Sequence, residues 1–249
     1  MTQSSTANKP DLQPKDRILV ALDVPTADKA LQIVGEIGDS VGGYKIGLQL
    51  FVAAGPAFVS KLVASGHKVF LDLKFHDIPN TAAMAAVEAA RLGVWMFNVH
   101  AIGGREMMVH CVDEVRTACE REGLMSPKLI AVTVLTSSDT NSLNETGIES
   151  PVEEQVVRMA GLTNDCGLDG VVASPAEVAA IRQAVRNKDF LIVTPGIRPI
   201  SATKDDQKRV TTFGQAITNG SDYVVIGRPI TGSTNRLEAV ANILAEIEN

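Results

Sequence analysis

Between positions 72 and 77 the chain reads Asp72-Leu73-Lys74-Phe75-His76-Asp77, a lysine flanked by two carboxylates. Asp23 and Lys45 end or interrupt two earlier apolar runs in the same way. Burying one such charge without a partner is costly. Lysines alternating with carboxylates instead form a mutually neutralising network. The carboxylates keep each lysine protonated against the desolvation that would discharge it. A protonated lysine held beside carboxylates suits stabilising, then protonating, a carbanion. Asp23 or Lys45 taken singly is read equally well as a salt bridge tying the structure together, whereas five such charges at strand ends point to a catalytic site. His76 is the tempting acid–base group, but a lone histidine in a charged turn is more often hydrogen-bonded scaffold, so it ranks below Lys74.

A second constellation suits an anion. Thr194-Pro195-Gly196-Ile197-Arg198 and Ile226-Gly227-Arg228-Pro229 each set a glycine close before an arginine. Glycine lets backbone N–H groups approach a phosphate, and the guanidinium adds a permanently charged, bidentate clamp. Between them, Pro199 to Arg209 is polar and charged, the composition of a surface loop able to close as a lid. Gln207 within it is uninformative by itself. After the first cluster comes Ile78-Pro79-Asn80-Thr81, where Pro79 fits the start of a helix. That places Thr81 on the first helical turn, near a ligand or a neighbouring subunit.

These groups need a scaffold that gathers strand ends. Eight short apolar runs recur along the chain: 18–22, 44–47, 68–73, 95–99, 129–134, 170–173, 190–193 and 223–226. Most are continuous rather than alternating, as in parallel strands covered on one face and packed on the other. The segments between them carry helical spacing, as in Ala27, Ala30, Leu31, Val34 and in Leu237, Val240, Ala241, Leu244. Thr26 is placed to cap the first helix, and Pro151 fits the first turn of the fifth. Eight βα units in one chain predict a single-domain (β/α)8 TIM barrel over residues 16–249, preceded by a loose polar tail at 1–15. A doubly wound open sheet is the alternative, but no G-x-G-x-x-G follows the first run. The barrel sets a demand that the unusual polar residues meet: functional groups belong at the C-terminal ends of strands, with phosphate contacts after strands seven and eight.

Composition narrows the setting. A formal net charge of −6 argues against a nucleic-acid partner, although one cleft can be locally basic. No run of about 18 apolar residues is present, so no membrane span is expected. The first fifteen residues lack the apolar stretch of a signal peptide. Cys111, Cys119 and Cys166 show no C-x-x-C spacing and read as free thiols of a cytoplasmic protein. Four histidines form no metal-binding pair, so neither a metal site nor a cofactor is expected.

The run Asp72 to Thr81 resembles the signature of the orotidine 5'-phosphate decarboxylase family. Ala21-Leu22-Asp23, Tyr44-Lys45-Ile46-Gly47, Leu135-Thr136-Ser137, Thr194 to Arg198 and Ile226 to Pro229 match that family in order and spacing from about Arg17 onward. The chain is most similar to the bacterial branch; the tail and the loop Ser138 to Ser150 are peculiar to it. The resemblance implies cofactor-independent conversion of orotidine 5'-monophosphate to UMP and CO2, the last step of de novo pyrimidine synthesis. It implies Lys74 as proton donor to C6, Asp72 against the departing carboxylate, and Lys45 with Asp77 completing the charge network. It further implies a homodimer in which Asp77 reaches the partner's site. Asp23 and Thr81 would hold the ribose side, Thr136 the pyrimidine edge, and Ile78 the apolar lining. Gln207, Gly227 and Arg228 would grip the phosphate with Arg198 nearby. Two rival readings stand beside it: a Mg2+-dependent keto-sugar-phosphate decarboxylase, which has the same D-x-K-x-x-D spacing but lacks the full Phe75 to Thr81 continuation, and a non-catalytic nucleotide sensor on the same barrel.

Overall fold

A computed structural model of the chain describes residues 12–199 and 211–247. Eight parallel strands close into a barrel in sequence order, with the eighth pairing back onto the first. They are β1 (Ile18–Ala21), β2 (Gly43–Gly47), β3 (Val69–Phe75), β4 (Met96–His100), β5 (Lys128–Val132), β6 (Gly170–Val172), β7 (Leu191–Pro195) and β8 (Tyr223–Ile226). The outer ring begins with α1 (Ala27–Ile37), α2 (Leu48–Ala64), α3 (Pro79–Arg91), α4 (Gly104–Glu122) and α5 (Thr140–Glu145). It continues with α6 (Val152–Asp165), α7 (Val178–Ala184), α8 (Phe213–Thr218), α9 (Arg228–Thr231) and α10 (Arg236–Leu244). The (β/α)8 barrel expected from the eight apolar runs is the fold observed. No helix among the described residues is long and apolar enough to cross a membrane.

Because successive strand residues face opposite ways, each strand feeds two separate apolar layers. Ile18, Val20, Leu71, Phe97, Val99, Val224 and Ile226 face the helices and build the larger core. Leu19, Ala21, Phe70, Met96, Ile130, Val193, Tyr223 and Val225 pack against one another as a second cluster inside the barrel. The base is closed by Trp95 set edge-on to Tyr223 at 5.1 Å, with Leu12 packed against the same cluster. Of the segment expected as a tail, 12–15 therefore lies on the barrel, where Pro14–Arg17 forms a 3-10 turn leading into β1. Residues 1–11 lie outside the described part.

Local signals place the elements. The Thr26 hydroxyl accepts from Lys29 N at 3.3 Å and opens α1, and Pro79 occupies the first turn of α3. Pro151 stands one residue earlier than expected, as the N-cap of α6 rather than within its first turn. The loop after β5 carries the short α5, opened by a reciprocal cap between Asp139 and Ser142. Three strands run further than their apolar runs: β3 continues through Lys74 to Phe75, β4 to His100, and β7 through Thr194 to Pro195. Backbone pairing, unlike hydropathy, carries on through polar residues.

Candidate active site

The inward rows deliver the site. On β1 the sequence Leu19, Ala21, Asp23 steps from the barrel interior to its mouth, and on β3 Phe70, Asp72, Lys74 does the same. On β2, Lys45 lies beside Ala21 on one side and Phe70 on the other. The result is an alternating chain of charges. Lys45 Nζ lies 3.0 Å from Asp23 Oδ1 and 3.2 Å from Asp72 Oδ2, and Lys74 Nζ lies 2.6 Å from Asp72 Oδ1. Side-chain exposure is 9% for Lys45, 13% for Asp72 and 27% for Lys74. Two ammonium groups and two carboxylates cancel, which makes the burial of Lys45 and Asp72 tolerable, while Asp23 at the rim is exposed.

Burial alone would raise the Asp72 carboxyl, but the Lys45 and Lys74 ammonium groups, with hydrogen bonds from Lys74 and Asn98, hold it below the usual carboxylate range. Desolvation pushes the His100 imidazole below its ordinary value, and neighbouring His76 and Lys74 push it the same way. Gly47 is needed for space: a Cβ there would sit 3.0 Å from both Asp23 Oδ1 and Lys45 Nζ. Lys74 has φ of 55°, the only described non-glycine residue with a positive φ. It lies in an irregularity of β3–β4 pairing between Leu71 and Phe75. Such a backbone costs a residue with a Cβ about 1–2 kcal/mol, and strain of this kind concentrates at functional positions.

Across the mouth, the ends of β7 and β8 supply the anion constellation. Gly196 has φ of 80°, and Gly227 leads directly into α9 at Arg228. A cleft of about 530 Å³ joins the two sides, lined by Asp23, Lys45, Asp72 and Lys74 on one side and by Arg198, Gly227 and Arg228 on the other. Neither arginine side chain is paired with a carboxylate among the described residues. The structure thus brings together seven of the expected residues. Asp77, Ile78, Thr81 and Thr136 are exposed and stand outside the cleft's lining. Asp77 Oδ1 accepts from Ile78 N at 2.7 Å, opening the turn into α3. Gln207 and all but the first residue of the expected lid lie outside the described residues. His76 is exposed, its ring centroid 5.7 Å from that of His100.

One residue of the cluster carries no charge and was not singled out from the sequence. Asn98, fully buried on β4, donates from Nδ2 to Asp72 Oδ1 at 2.7 Å and accepts at Oδ1 from Lys74 N at 2.8 Å. Its signal was there to be read: a lone amide in the apolar run Trp95 to Val99, two residues after inward-facing Met96.

Fold and site together define a (β/α)8 barrel with a partly buried Asp/Lys network at its C-terminal mouth, facing an arginine-lined cleft wall. The chain belongs to the orotidine 5'-phosphate decarboxylase / HUMPS family, whose profile matches residues 16–243. It is 51% identical over 231 residues to the orotidine 5'-phosphate decarboxylase of Geotalea daltonii, covering 93% of this chain and 95% of that one. With the protein of the same name from Geobacter sulfurreducens it shares 51% identity over 235 residues, 94% of this chain and 97% of the other. The crystal structure of orotidine 5'-phosphate decarboxylase from Lactobacillus acidophilus superposes with a TM-score of 0.80 at 39% identity, covering 93% of this chain and 99% of that chain.

Proposed function

We propose that this protein decarboxylates orotidine 5'-monophosphate to UMP and CO2, the final step of pyrimidine nucleotide synthesis, without a metal or cofactor. The observation that carries the reading is the continuous Asp23–Lys45–Asp72–Lys74 network opening onto the arginine-lined cleft. When the C6–carboxylate bond breaks, the electron pair stays on C6 as CO2 departs. No electron sink is available in the pyrimidine ring, so fixed charge must stabilise the carbanion. The Lys74 ammonium, preorganised in a water-poor site, does so and then transfers a proton to C6. The neutral amine is reprotonated from solvent after product release. Asp72 sits against the departing carboxylate, and Lys45 holds Asp72 and Asp23 in place.

Substrate contacts divide by side of the cleft. Asp23 takes the ribose, while Gly227 and Arg228, with Arg198 nearby and Gln207 from the loop beyond, take the phosphate. Thr136 meets the pyrimidine edge. Asp77, Ile78 and Thr81 serve the site of a second subunit in a homodimer: Asp77 completes the charge network, Thr81 reaches the ribose, and Ile78 lines the apolar pocket. Their exposure outside this chain's own cleft supports that reading, as do the neighbouring exposed apolar residues Met84 and Ile102. Three buried thiols, none in a disulfide, fit a cytoplasmic enzyme.

The test is loss of orotate absorbance with purified protein in EDTA. Turnover of orotidine 5'-monophosphate to UMP is expected. Activity that disappears with the chelator would favour the Mg2+-dependent decarboxylase, and binding of UMP without turnover would favour a sensor.

A further inference from the structure

We propose that Asn98 is a positioning residue that clamps both ends of Lys74. This rests on the function proposed above and extends it to a residue that neither charge nor motif marks out. The bonds form a closed ring. Lys74 Nζ donates to Asp72 Oδ1 at 2.6 Å, Asn98 Nδ2 donates to that same oxygen at 2.7 Å, and Asn98 Oδ1 accepts from Lys74 N at 2.8 Å. The amide orientation follows from chemistry, since a backbone N–H can meet only the carbonyl oxygen and a carboxylate oxygen only the NH2. Asn98 is 0% exposed, so water cannot substitute for either bond.

Each half of the clamp has a separate consequence. The bond to Lys74 N holds the one described non-glycine residue in left-handed backbone, with φ of 55°. Relaxing that backbone to an extended form redirects the side chain that must meet C6. The bond to Asp72 Oδ1 fixes the carboxylate rotamer, leaving Oδ2 for Lys45 Nζ at 3.2 Å. Without Asn98 the ion pairs can still form, but Lys74 is no longer held in one place. A displacement of about 1 Å near a reacting centre lowers rate on the order of 10²-fold while leaving distant binding contacts intact.

The charged and titratable groups around the amide are Asp72 and Lys74 on β3, Lys45 on β2 through Asp72, and the His100 imidazole further along β4. Two variants test the assignment. Asn98→Leu removes both bonds while keeping the branching at Cγ; kcat should fall on the order of 10²-fold with KM within threefold, because ribose and phosphate are held elsewhere. Asn98→Asp changes one group. Its protonated carboxyl can donate to Asp72 and accept from Lys74 N, whereas its ionised form opposes Asp72. Its kcat should therefore begin to fall with rising pH at a lower pH than that of the unsubstituted protein, as the introduced carboxyl ionises. A purely structural asparagine would lower the unfolding midpoint and leave the pH profile of kcat unchanged. Folded Asn98→Asp protein with the unsubstituted rate and profile overturns the clamp, whether or not Asn98→Leu folds. Failure of the underlying function is separable: there the unsubstituted enzyme is inactive, or Lys74→Ala retains turnover.

Discussion

The two sides of the barrel mouth both carry charged groups and treat them in opposite ways. On the β1–β4 side, every charge of the Asp23–Lys45–Asp72–Lys74 chain meets its opposite within 3.2 Å, and the two inner side chains are nearly buried. On the β7–β8 side, Arg198 and Arg228 line the same cleft with no described carboxylate paired to them. On the function proposed above, the first side has its charges paired before substrate arrives, so they need no rearrangement as the carbanion forms. On the same proposal, the second is completed when the phosphate of the substrate enters. Chemistry is therefore assigned to the neutralised side and binding energy to the unpaired one, and each assignment can be broken separately.

The largest effect is expected from Lys74→Ala: kcat should fall on the order of 10⁴-fold or more, with a fold intact by circular dichroism. Near-normal turnover would remove Lys74 as proton donor. The same variant tests the dimer. Mixed and exchanged with Asp77→Ala subunits, it should recover about a quarter of the full rate, because half the dimers are heterodimers with one complete site of two. No recovery despite confirmed exchange would mean that each site is built from one chain. On the opposite side, Arg228→Ala should lower kcat/KM about 10²-fold, through loss of charge-assisted bonds to phosphate. An equal effect on substrates with and without phosphate would detach Arg228 from that group.

The smallest effect concerns stability. Asp72 is held below its ordinary value near 3.8 in the folded state, so the unfolded chain takes up its proton first as pH falls. The network's contribution is thus present at neutral pH and is lost as pH drops from that ordinary value through the lower folded one. Asp72→Asn should be less stable than the unsubstituted protein by about 1–3 kcal/mol at pH 7, with the gap narrowing in acid. A gap independent of pH would contradict an ionised, paired Asp72.

What the sequence made legible follows the same division. Strands announce themselves by hydropathy, so eight apolar runs sufficed for the barrel. Their ends did not, because His100 and Thr194-Pro195 continue backbone pairing without apolar continuity. The six-residue α5 is held by Asp139 and Ser142 rather than by an apolar stripe, which hides it from periodicity. In the site, paired charges declare their own cost, and Asp23, Lys45, Asp72 and Lys74 do converge. Asn98 escaped because a neutral amide shows no such imbalance, and its role depends on an unusual backbone angle at Lys74. Asp77, Ile78 and Thr81 sit where the sequence puts them, at the turn into α3, but the use proposed for them depends on a second subunit.

The most direct test compares kcat for orotidine 5'-monophosphate with kcat for orotidine, which lacks the phosphate, at saturating concentrations of each. If binding on the β7–β8 side drives chemistry on the β1–β4 side, the truncated substrate must lose kcat as well as affinity. An unchanged kcat with only KM raised would show that the two sides of the mouth work independently.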